Sequence, residues 1–120
     1  MGIINNIKDN FIKAEFSVAP NKKLKTLSAE FKSSFGVSLV FYKGAKLADP
    51  ELTLNQLNQL TTKNVATKAE AFKIKASMKV GDAEKLFDTN FGVTVQIKDA
   101  DAKVLVPNEI TIGQAARKEY

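Results

Sequence analysis

A chain of 120 residues, 44% hydrophobic and 26% charged, is long enough to bury one core without help from a metal or disulfide. It contains no cysteine, histidine or tryptophan, which excludes thiol nucleophiles, thiolate or imidazole metal sites and a histidine general base. The net charge of +5 is lodged in residues 1–69, where ten lysines face five acids; residues 70–120 balance, with seven lysines and Arg117 against eight acids.

Residues 1–13 place Ile3, Ile4, Ile7 and Phe11 at helical spacing, which predicts an amphipathic N-terminal helix. This stretch lacks the basic, apolar and cleavage regions of a secretory signal, and Asn6 stands where a myristoylation motif needs Ser or Thr. No run approaches the length of a membrane span, so the expectation is a cytoplasmic protein with no membrane contact. The segment AEFSVA then alternates, with Phe16 and Val18 on one face, as a half-buried strand does. Leu24, Leu27, Phe31 and Phe35 follow at steps of three and four, predicting a helix whose left-handed C-terminal turn falls to Gly36. A second strand sets Val37, Leu39 and Phe41 inward. A turn at Lys43-Gly44 and a short return at Lys46-Leu47-Ala48 complete the hairpin. Thr53-x-x-Gln56 reads as a capping box opening a short helix near Leu54, just after Pro50.

The order then recurs. FKSSFGV (31–37) and FDTNFGV (87–93) are 56 positions apart. At that offset Phe16 matches Phe72, Val18 Ile74, Leu24 Val80, and Leu39 Val95. With two extra residues in the second copy, Thr53 and Gln56 match Thr111 and Gln114. The expectation is a single domain over 1–120, with repeat units at 14–60 and 70–116 and a polar connector at 61–69. Two β-α-β units sharing one sheet predict an α+β fold: a ferredoxin-like split βαβ sheet, helices on one face, and a short extra helix after each unit. Its core would hold Phe16, Val18, Leu39, Phe72, Ile74 and Val95 beneath Leu27, Phe31, Ala83 and Phe87.

SLVFYKGAKLADPELTLNQLN resembles the strand, reverse turn, return strand and short helix late in ubiquitin-like β-grasp domains. That resemblance supplies the alternative fold. The whole pattern, F-x-x-x-F-G-[VI] before a strand and A-D-x-x-x-T-L after it, also resembles small uncharacterised bacterial proteins, and it implies no activity.

For chemistry the residues offer little. The acids Glu15, Glu30, Asp49 and Glu51 fall on different elements at expected surface positions, and no glycine-rich phosphate loop occurs. Asp99 and Asp101 read as a polar turn, since an EF-hand needs a glycine at its sixth position and a distal glutamate. No catalytic residue, metal or cofactor is expected, and the protein reads as a non-enzyme. The outer sheet face would show Val40 and Tyr42 ringed by Lys73 and Lys75, and Lys22, Lys23 and Lys25 form a basic run where the units differ. These seven residues are the candidate interaction surface, for a protein partner or a homodimer. The alternative is a weak, lysine-driven nucleic-acid binder. One arginine in the whole chain, and Tyr42 as the single aromatic on that face, disfavour it as a reader of bases.

Overall fold

The computed structural model describes residues 15–60 and 71–119. The predicted N-terminal helix and connector lie outside the described residues. The first unit runs β1 (Glu15–Val18), α1 (Leu24–Phe35), β2 (Ser38–Lys43), β3 (Lys46–Leu47) and α2 (Leu54–Leu60). The second runs β4 (Phe72–Lys75), α3 (Val80–Phe91), β5 (Thr94–Lys98) and α4 (Ile112–Ala116).

The long helices form where the apolar spacing predicts. Leu24, Leu27, Phe31 and Phe35 of α1, and Val80, Ala83, Phe87 and Phe91 of α3, are all buried. Gly36 ends α1 at φ 75°, donating its N–H to the Lys32 carbonyl at 2.7 Å, and Gly92 ends α3 at φ 64° with the same bond to Asp88. A side chain is strained against its own backbone at such a φ, so glycine is the residue best suited to the stop.

Neither long helix has a side-chain N-cap; Lys23 and Lys79 occupy that position. Their free N–H groups are met by the loop before each short helix. Leu24 N donates to Leu52 O at 2.8 Å and Lys25 N to Pro50 O at 3.1 Å, while Leu54 N and Asn55 N return bonds to Lys22 O and Pro20 O. The second unit makes the same clamp: Val80 N to Ile110 O, Gly81 N to Asn108 O, Ile112 N to Met78 O and Gly113 N to Ala76 O. Each helix start therefore satisfies the other's orphan donors.

The strands form two antiparallel sheets, β1-β4 and β3-β2-β5. This corrects the expectation of a single interleaved sheet: the split βαβ arrangement is not confirmed. First strands pair with each other, and second strands pair with each other. Alternation along a strand fixes which face is buried, but it does not choose the neighbour across either edge. Each ladder includes a pair of residues 56 apart, Ser17 opposite Lys73 and Val40 opposite Gln96, so equivalent strands run past one another antiparallel. After α1, the strand, turn, return strand and short helix follow in the order of the β-grasp alternative. The molecule is α+β, with four helices among the described residues.

The core holds the expected side chains, with Phe72 only partly buried, and adds Leu54, Leu57, Val106, Ile112 and Ala115 from the short helices and the last loop. Phenylalanines meet edge to face within each unit, as Phe16–Phe31 at 5.5 Å and Phe72–Phe87 at 5.2 Å. Phe41 crosses to Phe87 of the other unit at 5.6 Å.

Candidate interaction surface

The candidate lysines do not form one unopposed basic patch. Lys22 Nζ lies 2.8 Å from Glu30 on α1, and Lys23 and Lys25 share the Glu51 carboxylate at 3.1 and 2.7 Å. Lys73 reaches diagonally across the β1-β4 ladder to Glu15 at 3.1 Å, while Lys75 stands exposed directly opposite Glu15. Those pairs are solvent-exposed and individually weak, but they lower the field that a polyanion would meet.

Val40 and Tyr42 project from β2, in the other sheet from Lys73 and Lys75, so the structure divides the expected face between two sheets. The Lys98 ammonium sits 5.9 Å from the Tyr42 ring centroid, a cation–π contact between the positions at which the two units differ. Val40, Tyr42, Gln96 and Lys98 are all only partly exposed.

Among the described residues four carboxyl groups are shifted, and each has a structural cause. Paired lysines hold Glu51 below the usual carboxylate range, and Arg117 does the same for Glu119. Asp99 is lowered chiefly by the Lys103 N–H, its Oδ1 lying 2.9 Å from that nitrogen. Burial pushes Glu84 up, partly offset by the Ile97 N–H donating to it at 2.8 Å. All four shifts come from groups that hold local structure together. Among the described residues no three His, Cys, Asp or Glu side chains gather as metal ligands. No described helix is long and apolar enough to cross a membrane.

The residues that sequence reading missed are apolar. Leu47 on β3 is 69% exposed, Val104 and Leu105 after β5 are 56% and 53% exposed, and Leu60 at the end of α2 is 51% exposed. Leu47 stands across from Tyr42, and Leu105 bridges to Lys98. Backbone direction alternates along a ladder, so the residue between two inward-bonded neighbours points its N–H and C=O outward. Ala48 N bonds inward to Phe41 O at 3.0 Å, which turns the Leu47 groups away from β2. On the other edge, Val104 O accepts from Asp99 N and Val106 N donates to Ile97 O, so Leu105 faces outward as well. The available signal was an apolar return strand too short to be covered on its far side. Beside Leu47 a groove of about 480 Å³ is lined by Lys43, Lys46, Ala48, Asp49, Leu52 and Leu60.

No protein family, curated protein or solved structure matches this chain.

Proposed function

We propose that the protein is a small non-enzymatic interaction module that engages another protein through the edges of its three-stranded sheet. One observation carries this reading: Leu47 and Leu105 each combine an exposed leucine with outward backbone N–H and C=O groups, on opposite edges of the same sheet. An uncovered apolar edge is normally blunted or paired, because it templates association. The lysine-driven nucleic-acid reading draws less support, since four of the five candidate lysines already face a carboxylate within 3.1 Å. Non-enzymatic action fits shifted carboxyls whose partners are backbone amides and neighbouring cations.

The test immobilises the full chain and compares capture from an extract of its source cell by the wild type and by Leu47→Asp. A partner retained by the wild type and lost by the variant supports the reading. Capture indifferent to Leu47, or a strict monomer in light scattering with nothing retained, overturns it.

A further inference from the structure

The two sheet edges are matched in backbone but opposite in relief. The edge at β3 has a groove, in which Leu52 and Leu60 stand behind Leu47. The edge after β5 projects two adjacent exposed side chains, Val104 and Leu105. From these edges we infer that the partner is a second copy of this chain, bound head to tail, with Val104–Leu105 of one copy seated on the Leu47 groove of the next. This rests on the interaction reading above and names its partner.

Three features support the match. An antiparallel pairing of Leu47 with Leu105 lets their outward N–H and C=O groups bond to each other. The same register sets Asp49 opposite Lys103, and brings the turn carrying Lys43 and Lys46 beside residues 107–109, which include Glu109. A single head-to-tail contact also covers Leu47, Leu60, Val104 and Leu105, the exposed large hydrophobic residues of the described chain. A like-with-like contact at β3 leaves Val104 and Leu105 in water, and one at Leu105 gathers Asp101 and Glu109 of both copies. Because the two edges differ, each added copy presents a fresh free edge, so association continues until a ring closes or the chains run out.

Sedimentation velocity on the full chain at rising concentration tests this. The wild type is expected to pass from monomer to dimer and longer chains. Leu47→Asp and Leu105→Asp each lose one edge, and each alone should remain monomeric over the same range. Both sites are exposed, so at concentrations where the wild type is monomeric the far-UV spectrum and melting temperature of each variant should match it. An equimolar mixture retains one good groove and one good projection, and should give a one-to-one dimer and nothing longer. A mixture that stays monomeric, or a Leu105→Asp protein that still dimerises alone, overturns head-to-tail pairing. A monomeric wild type whose capture of another protein still depends on Leu47 overturns self-association and leaves the interaction module standing. Capture that ignores Leu47 removes the interaction reading itself.

Discussion

Glu84 sits half-buried on α3 with a carboxylate oxygen 2.8 Å from the backbone nitrogen of Ile97 on β5. Ser28, the matching position on α1, instead donates its hydroxyl to the Leu39 carbonyl at 2.7 Å. Both side chains tie a helix to the strand that follows it. The carboxylate also carries a charge taken partly out of water, and burial outweighs the Ile97 bond in setting its pKa above the ordinary value. A carboxyl raised in the folded state contributes stability that is complete below its unfolded pKa and is lost as pH rises through the folded value. Glu84→Gln keeps an oxygen for the Ile97 N–H and removes the charge. In urea melts it should be at least as stable as the wild type at pH 7, with the difference shrinking as pH falls through the raised Glu84 value and levelling off below the ordinary glutamate value. Glu84→Ala leaves the Ile97 amide without its partner and should cost about 1 kcal/mol. A glutamine variant much weaker than the wild type at pH 7 would show that the charge itself stabilises the fold.

At the scale of elements, the short helices depend on their first turns. α4 spans only Ile112–Ala116, far below the length at which a helix holds itself in water. Thr111 accepts from Gln114 N at 3.1 Å, and Gln114 returns its side-chain oxygen to Thr111 N at 2.9 Å; Thr53 and Gln56 repeat the box on α2. Thr111→Ala should lower stability by about 1 kcal/mol. Because the two bonds form one reciprocal unit, Thr111→Ala with Gln114→Ala should cost measurably less than the two single losses combined. Additive losses in that double-mutant cycle would mean the bonds act independently. These boxes were legible in the sequence because both partners lie within one turn, as were the helices, their glycine stops and the inward rows of each strand. The lysines of the candidate surface were legible as charges, but their partners were not. Lys22 and Glu30 are eight residues apart, Lys23 and Glu51 twenty-eight, and Lys73 and Glu15 fifty-eight, so only the folded chain brings them together. The backbone clamp at the starts of α1 and α3 stayed hidden for the same reason, since its donors and acceptors leave no side-chain signature.

At the scale of the whole molecule, neither unit owns a complete sheet. β1 pairs with β4 and β2 with β5, so each of these ladders takes one strand from residues 15–60 and one from residues 71–119. The short helices are exchanged as well: α2 contacts α3, and α1 contacts α4. Phe87 shows the consequence, because its ring packs on Phe72 of its own unit and on Phe41 of the other. Truncating it to alanine should cost about 3–5 kcal/mol, the range for a fully buried phenylalanine. That is a large share of the roughly 5–15 kcal/mol that holds an ordinary domain together. A loss of that size would be confined to residues 71–119 if the units were independent. Shared ladders require both units to fall together. Urea unfolding followed by circular dichroism should therefore show one transition in the wild type and one in Phe87→Ala, at lower urea with the same slope. Hydrogen exchange at Val18 and Ile74 should accelerate in step. Phe87→Leu, expected to lose about 1 kcal/mol, keeps the comparison available if the alanine variant does not fold. Two separated transitions, or a first unit that keeps its protection while the second loses it, would show that each half stands alone.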